Sequence, residues 1–149
     1  MKKKVFFACS MRGGFPYVSR EFLQKIPDAL EEIGLEVVSR HQTQQGVIEQ
    51  EDRKTTIAIH DRDYGWLKGC YVLVAEISNP SDGVGGEIAD AVYLGNPVLA
   101  LYQRPENEIS AYIRGKIEKY SKGHHAQYKD LDDLKRIARE FVDSIPKMQ

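Results

Sequence analysis

The sequence predicts an α/β fold: a flavodoxin-like three-layer sandwich with a five-stranded parallel sheet and helices on both faces. Apolar runs typical of strands alternate five times with segments of helical periodicity, and this alternation predicts a parallel sheet. The run YVLVAEI at 71–77 is apolar almost throughout, as expected of a strand covered on both faces. No repeat, low-complexity run or long Pro/Gly linker divides the chain, so we expect a single domain over residues 1-149.

The first half of the chain supplies two strands and two helices. An apolar run predicts the first strand at 3–9, and LEVVS predicts the second at 35–39. Between them, apolar residues that fall on one helical face predict a helix over 17–34. The polar stretch 41–50 has no periodicity and is predicted to be a loop, and a second helix follows over 51–69.

The second half continues the alternation and sets where a ligand should bind. Its strands are predicted at 71–77, 97–102 and 125–130. Its helices are predicted at 86–94, from Ser110 onward, and at 131–145. Ligands of such sheets bind beyond the carboxyl ends of the strands, near the switch in strand order. The loops that follow the first and third strands are therefore the expected site.

Composition excludes several classes of protein. The formal net charge is −1, so the basic excess of a general nucleic-acid binder is missing. No apolar stretch approaches the roughly 18 residues that a membrane helix needs, and the basic start is too short for a signal peptide. Cys9 and Cys70 both lie in apolar surroundings, which indicates a reduced, cytoplasmic protein.

The first strand runs directly into a polar turn, CSMRGG. Ser10, Arg12, Gly13 and Gly14 combine a hydroxyl, a cation and two residues that allow close backbone approach, as in a phosphate cradle. The alternative is a tight turn with a solvated arginine, and the fragment alone leaves both open. Neither the GxxxxGK[ST] nor the GxGxxG pattern is present.

The helix TTIAIHDRDYGWLKGC places an ionisable carboxyl on a largely apolar stripe. The stripe contains Thr56, Ile59, His60, Asp63, Trp66, Leu67 and Cys70. We expect it to face the protein, with Asp61 and Arg62 solvated off the stripe. Burying Asp63 costs several kcal/mol unless it is paired or functional, so the residue is either catalytic or half of a structural pair with His60.

The segment SNPSDGVGGEIADA follows the third strand and adds a second carboxyl. Glu87 is expected in the first turn of a helix, where the helix dipole lowers its pKa and keeps it ionised. An ionised carboxylate suits a nucleophile or an electrostatic stabiliser, although stabilisation by the dipole alone also explains it. Adjacent parallel strands would bring this loop and the CSMRGG turn to one cleft.

No metal or cofactor is expected. His124 and His125 point to different sides of a strand, and no cluster of ligands accompanies them. Cys9, at a strand end, is expected to be plain core rather than a nucleophile. Ser110 is expected to cap a helix, and its hydroxyl or the helix amides could also meet an anion.

Three fragments of the chain resemble a known family. FFACSMRGG, IHDRDYGWL…YVLVAEISNPSDGVGGEIADAVYLGNPVLAL and SAYIRG are similar, in matching order, to the 2′-deoxynucleoside 5′-phosphate N-hydrolases. That family belongs to the wider nucleoside 2-deoxyribosyltransferase-like group, and the resemblance spans roughly residues 4 to 130. It implies a flavodoxin-like fold and cleavage of the N-glycosidic bond of a nucleoside monophosphate, without metal or cofactor. It also implies a homodimer in which each subunit helps to complete the neighbouring site.

The resemblance assigns roles residue by residue. Glu87 matches the nucleophile that attacks the anomeric carbon, and Asp63 matches the acidic residue that assists departure of the base. Ser81 matches a phosphate ligand, and Ser110 matches one donated by the partner subunit. The substrate-binding residues expected in this way are Phe6, Ser10, Arg12, Gly13, Gly14, His41, Ser81, Gly85, Ser110, Ala111 and Tyr112.

One position departs from the family pattern. Deoxy-specific members usually carry a tyrosine four residues before the serine of the turn, and this chain has Phe6. Loss of the hydroxyl frees volume near C2′ of the sugar, so a ribonucleotide becomes a possible substrate. Two other functions stay open: a nucleoside 2-deoxyribosyltransferase, which the phosphate cradle disfavours, and a non-catalytic nucleotide-binding module, which the two carboxyls disfavour.

Overall fold

The computed structural model describes residues 1–44 and 46–148, apart from the side chains of His41 and Gln42. Its centre is a parallel sheet in the order β2-β1-β3-β4-β5. The strands are β1 (Lys3–Ala8), β2 (Leu35–Val37), β3 (Val72–Glu76), β4 (Val98–Tyr102) and β5 (Gly123–Gln127). This order confirms the predicted flavodoxin-like α/β fold.

Helices cover both faces of the sheet. In the described residues they are α1 (Arg20–Leu23), α2 (Ile26–Glu32), α3 (Val47–Glu51), α4 (Thr56–Gly69), α5 (Asp82–Leu94), α6 (Ala111–Lys119) and α7 (Leu131–Ser144). Short 3₁₀ turns lie at Arg40–Thr43, Glu106–Glu108 and Ile145–Met148. Side chains of α1, α2 and α7 pack on one face, and those of α4, α5 and α6 pack on the other. No helix among the described residues is both long enough and apolar enough to cross a membrane.

The pleat of β1 divides the core in two. Val5 and Phe7 point to the side of α2 and α7, whereas Phe6 and Ala8 point to the side of α4 and α5. All four side chains are fully buried. Because alternate residues of a strand face opposite ways, the run VFFA serves both cores at once.

Two predicted helices differ from those in the structure because capping residues set where the helices begin. The helix expected over 17–34 consists of α1 and α2, because Ser19 caps the first and Pro27 occupies the first turn of the second. The helix expected over 51–69 begins only at Thr56, where the Thr55 hydroxyl accepts the N–H of Ala58. The loop expected over 41–50 is partly helical instead, since α3 begins at Val47.

Two other boundaries are displaced. Helix α5 begins at Asp82 rather than at 86, because Ser81 caps it by accepting the N–H of Val84. Strand β5 covers Gly123–Gln127 rather than 125–130, and Tyr128 is instead a buried core residue after the strand. A side-chain cap decides where a helix begins even when glycines follow it.

Candidate active site

A cleft of about 690 Å³ opens at the carboxyl ends of β1 and β3. These strands are neighbours in the sheet, and the strand order reverses here, as expected for ligand binding. The loop after β1 forms one wall, the start of α5 forms the second, and α4 forms the third. The lining residues are Cys9, Met11, Arg12, Gly13, Glu51, Ile59, His60, Asp63, Tyr64, Leu67, Pro80, Ser81, Asp82, Gly83, Val84, Gly86, Glu87 and Asp90.

The two predicted catalytic carboxyls, Asp63 and Glu87, line this one cleft. Burial raises the pKa of Glu87 to about 8, and the charges of Asp63 and Asp90 contribute to this rise. The expectation that the helix dipole lowers the pKa of Glu87 is therefore wrong. Helix α5 begins at Asp82, so Glu87 lies in its second turn, beyond the reach of the free amides.

The predicted stripe of α4 is only partly correct. Leu67 and Cys70 are buried, but the His60 side chain is 68% exposed and its Nδ1 lies 3.0 Å from Oδ1 of Asp61. Among the described contacts, His60 and Asp63 do not form the structural pair considered as an alternative. Arg62, expected to be solvated, is only 20% exposed and donates to Asp63.

The turn after β1 is built differently from a simple phosphate cradle. The hydroxyl of Ser10 is buried and donates to the carbonyl of Gly14 over 2.9 Å, so it closes the turn. Gly13 packs against the next loop so tightly that a Cβ there would lie 2.7 Å from the carbonyl oxygen of Pro80. Gly14 adopts φ 84°, a conformation that favours glycine. Ser10 is absent from the lining of the cleft, and its predicted contact with substrate stays a prediction.

Arg12 brings a positive charge to the cleft mouth. Its Nη2 lies 2.6 Å from Oδ1 of Asp52, and both side chains are more than half exposed. The cleft also contains five carboxyls, whereas Arg12 is the one lysine or arginine among its described lining residues. The positive charge of the cleft lining is therefore concentrated at Arg12.

Asn79 ties the two loops of the site together, and sequence patterns give no signal for it. Its Oδ1 accepts the N–H groups of Tyr17 and Val18 over 2.9 and 3.0 Å. Its Nδ2 donates to the carbonyl of Val18 over 2.9 Å. Because Asn79 is buried, the loop after β1 is held in a fixed place beside the loop that carries Ser81.

Ser81 borders the cleft, but other predicted ligands lie elsewhere. Ser110 caps α6 and lines a second cavity of about 460 Å³ on the far side of α5, together with Gly85. Ala111 and Tyr112 are exposed and line neither cavity. Gly85 thus faces away from the cleft, and the neighbouring Gly86 borders it instead.

Phe6 lies beneath the cleft rather than in it. Its side chain is fully buried and belongs to the apolar cluster under the cleft floor, with Leu67 and Val84. The predicted contact of Phe6 with substrate stays a prediction. The side chain of His41, another predicted ligand, lies outside the described residues.

A buried carboxyl supports the site from behind. Glu76 ends β3 and accepts the N–H of Ser78 over 2.6 Å, the hydroxyl of Ser78 over 3.0 Å, and the hydroxyl of Tyr128. Burial raises the pKa of Glu76. Burial, together with the charges of Glu76 and Glu87, raises the pKa of the Cys9 thiol to about 12, so Cys9 is not a nucleophile at neutral pH. Among the side chains that the structure describes, which do not include that of His41, no three His, Cys, Asp or Glu residues gather as a metal site would require.

Comparison with known proteins identifies the family. The 5-hydroxymethyl-dUMP N-hydrolase of Danio rerio is 33% identical over 145 residues, which cover 96% of this chain and 98% of that protein. A protein of Methanosarcina mazei named "Putative 2'-deoxynucleoside 5'-phosphate N-hydrolase 1" is 35% identical over 144 residues, 97% of this chain and 86% of its own length. This chain belongs to the 2′-deoxynucleoside 5′-phosphate N-hydrolase family. No protein-family profile matches it.

Membership of the 2′-deoxynucleoside 5′-phosphate N-hydrolase family makes the chain a hydrolase that acts on N-glycosyl compounds. Solved structures support the fold. The CMP N-glycosidase of Clostridium botulinum superposes with a TM-score of 0.68 at 23% identity, over 93% of this chain and 99% of that one. A 2-deoxyribosyltransferase of Bacillus psychrosaccharolyticus superposes with a TM-score of 0.58 at 19% identity, over 89% and 90% of the two chains.

Proposed function

We propose that this N-hydrolase cleaves the N-glycosidic bond of nucleoside 5′-monophosphates, releasing the free base and ribose or 2-deoxyribose 5-phosphate. One observation carries the proposal: Asp63 and Glu87 line the same cleft as Arg12 and Ser81. Glycoside hydrolysis commonly uses a pair of carboxyls, and a nucleotide also needs an anion site. The names of the relatives, which specify 5′-phosphates, support this substrate class.

In the proposed reaction, the carboxylate of Glu87 attacks C1′ of the sugar, and the bond from C1′ to the base nitrogen breaks. The base leaves with the electron pair of that bond and takes up a proton. The glycosyl ester of Glu87 then reacts with water at C1′, which gives the sugar 5-phosphate and returns a proton to the site. The sum is one nucleotide and one water converted to one base and one sugar phosphate.

The proton for the leaving base is already in the cleft before the reaction starts. Because the pKa of Glu87 is raised to about 8, this side chain holds a proton at neutral pH, and it must lose that proton before it attacks. We assign Asp63 the transfer of this proton to the base, in keeping with its place in the cleft beside Glu87.

The 5′-phosphate is assigned to the Arg12 end of the cleft. The guanidinium of Arg12, the hydroxyl of Ser81 and the first free N–H groups of α5, at Asp82 and Gly83, all border that end. Helix α5 has 13 residues, enough for its amino end to attract an anion.

A second copy of the chain is proposed to complete the cleft. Ser110 does not line the cleft of its own chain, yet it is exposed at the start of α6. Tyr93, near the end of α5, and Tyr112, near the start of α6, are 87% and 75% exposed, which suits a surface that becomes covered in a homodimer. Each subunit would then present Ser110, Ala111 and Tyr112 to its neighbour, as the family resemblance implies.

Complementation tests this sharing of residues. The Glu87→Ala and Ser110→Ala variants are mixed under conditions that exchange subunits. In a mixed dimer, one site receives wild-type Glu87 from one subunit and wild-type Ser110 from the other. Random exchange should restore about one quarter of the wild-type rate. If the mixture is no more active than the two variants measured separately, the proposal that the partner subunit contributes Ser110 is wrong.

Phe6 is proposed to influence the sugar from beneath the cleft. Its ring packs in one cluster with Leu67 and Val84, which do line the cleft. A tyrosine at this position would extend the side chain by one oxygen toward that layer and reduce the room for a 2′-hydroxyl. Phe6→Tyr should therefore shift the ratio of ribo- to deoxynucleotide turnover toward deoxynucleotides, and an unchanged ratio would discard the steric argument.

The decisive experiment is a panel of ribo- and deoxynucleoside 5′-monophosphates, scored for free base by chromatography with and without an added acceptor base. Release of base without acceptor supports hydrolysis, whereas a new nucleoside made from the acceptor indicates the transferase. Glu87→Ala should abolish release, while Glu140→Ala, an exposed change on α7, should not. If the protein binds nucleotides but releases no base over hours, the remaining hypothesis is a non-catalytic nucleotide-binding module.

A further inference from the structure

Arg62 joins the catalytic carboxyl Asp63 to a second, buried carboxyl. Its Nη1 and Nη2 donate to Oε2 and Oε1 of Glu51 over 3.1 and 2.7 Å. Its Nε donates to Oδ1 of Asp63 over 2.8 Å. Nη2 also lies 2.8 Å from Oδ1 of Asp63, so one planar guanidinium contacts both carboxyls at once, which the single ammonium group of lysine cannot reproduce.

The Glu51 end of this chain of contacts is firmly held. The side chain of Glu51 is 5% exposed, and that of Arg62 is 20% exposed. The guanidinium also lies 4.9 Å from the ring centre of Trp66, and Nζ of Lys54 lies 3.8 Å from Glu51. A bidentate pair with little access to water is geometrically specific, so the orientation of Arg62 is set from the α3 side.

The Asp63 end is the one that meets the cleft. Arg62 itself is not among the lining residues, whereas Asp63 and Glu51 are. The bond to Arg62 engages Oδ1 of Asp63 and restricts the side chain to one orientation.

On the basis of the proposed function, we infer that Arg62, fixed by Glu51, is a positioning residue that holds Asp63 oriented toward the leaving base. Arg62 acts only through Asp63 and touches no substrate. The arrangement keeps Asp63 ready to accept the proton that Glu87 gives up and to pass it on to the base. It also gives a role to Arg62, the residue that directly precedes Asp63 in the sequence.

Arg62→Lys is the principal variant, because it keeps a positive charge beside buried Glu51 but cannot contact both carboxyls in the same way. We expect kcat for base release to fall about 10- to 100-fold, with KM changed less than about threefold, since misplacement of a catalytic group affects mainly the chemical step. Arg53→Lys, an exposed arginine outside the cleft, is the matched control and should keep both constants. A normal kcat in Arg62→Lys, or a loss confined to KM, would overturn the inference.

A double-mutant cycle separates positioning from a general structural effect. In an Asp63→Asn background, Arg62→Lys should lower kcat by less than about twofold, because its target is already gone. Equal losses in the two backgrounds would show that Arg62 does not act through Asp63. Glu51→Gln tests the same inference from the other end of the contact, and it should lower kcat only when Asp63 is present.

Crystal structures make the test independent of turnover. In Arg62→Lys, or in Glu51→Gln should the lysine variant not fold, the Asp63 side chain should leave the orientation that it has in the wild type. An unchanged Asp63 would overturn the positioning role even if the variants lose activity. If the wild type releases no base from any nucleotide, the proposed function fails, and the orientation of Asp63 still decides whether Arg62 positions it.

Discussion

The buried amide of Asn79 is hydrogen-bonded to both the N–H and the carbonyl of Val18, over 3.0 and 2.9 Å. These bonds join the loop after β3 to the loop after β1. Gly13 of the second loop packs closely against Pro80 of the first. The two halves of the proposed phosphate site are therefore held at a fixed spacing by one side chain.

Removing this amide should loosen the phosphate site. Asn79→Ala removes the partners of the buried N–H and carbonyl of Val18 and of the partly buried N–H of Tyr17, which should cost about 1–3 kcal/mol of unfolding free energy. KM for a nucleoside monophosphate should rise by about tenfold or more, because the loops lose their register. Chemical denaturation and steady-state kinetics measure the two effects. Asn107→Ala, at an exposed position, should change neither, and an unaltered KM in Asn79→Ala would refute the clamp.

The pH dependence of catalysis should report the ionisation of Glu87. In the proposed reaction the proton of Glu87 passes through Asp63 to the base, and the raised pKa of Glu87, about 8, keeps that proton in the cleft, so kcat/KM should fall as pH rises above about 8. At about pH 10 it should be roughly 100-fold below its value at neutral pH. Asp90→Asn removes one of the charges that raise this pKa, so the falling limb should move to lower pH. A pH profile that Asp90→Asn leaves in place would contradict this assignment.

The same pKa predicts how stability depends on pH. Glu87 holds its proton more tightly in the folded chain than in the unfolded chain, so the folded state binds more protons between about pH 4.5 and 8. The contribution of Glu87 to the free energy of unfolding is fully present below that window and is lost as pH rises through it. Denaturation curves of wild type and Glu87→Gln should show the wild type losing relative stability across that same window. Parallel curves would mean that Glu87 is not desolvated.

Two adjacent glycines should respond differently to alanine. At Gly13, a Cβ would lie 2.7 Å from the Pro80 carbonyl oxygen, so Gly13→Ala must move the loops apart and should weaken nucleotide binding strongly. At Gly14, a Cβ would meet no atom within 4 Å, but φ is 84°. Gly14→Ala should therefore cost about 1–2 kcal/mol of stability and affect binding less. Calorimetric titration and thermal unfolding compare the two, and the reverse ranking in binding would argue against the close packing on Pro80.

The pair of Arg12 with Asp52 should compete with the substrate phosphate. Because both side chains are more than half exposed, the pair adds little to stability. Asp52→Asn should leave the melting temperature almost unchanged yet lower KM for nucleotides, since Arg12 is no longer shared. Arg12→Ala should raise KM by about tenfold or more. Effects of the same sign in both variants would exclude the competition.

Much of the fold follows from local pattern. The strands stand out because their apolar runs are dense and the helices between them have clear periodicity. The proposed catalytic pair also follows from pattern, since Asp63 lies on one stripe of α4 and Glu87 follows the glycine-rich loop after β3. The rule for ligand sites of parallel sheets predicts both at one cleft, and both line it.

The errors arise where a distant contact or a side-chain cap decides the outcome. Ser81 starts α5 early and so removes Glu87 from the helix end. Burial and the charges of Asp63 and Asp90 then raise the pKa of Glu87, opposite to the expected direction. The helical periodicity of α4 predicts that Arg62 is solvated. Its partner Glu51 lies on α3, and the sequence pattern of α4 alone cannot reveal a contact with another helix. The role of Asn79 likewise depends on a residue 61 positions away in the sequence.

The bond from Tyr128 to Glu76 makes the back of the cleft depend on the last third of the chain. Glu76 ends the strand that leads into Ser81, and its buried carboxyl takes one of its donors from beyond β5. A fragment that stops before Tyr128 would leave that carboxyl short of a partner, directly behind the catalytic loop. Truncations designed for expression or for splitting the enzyme into halves should therefore keep Tyr128 with the piece that carries β3.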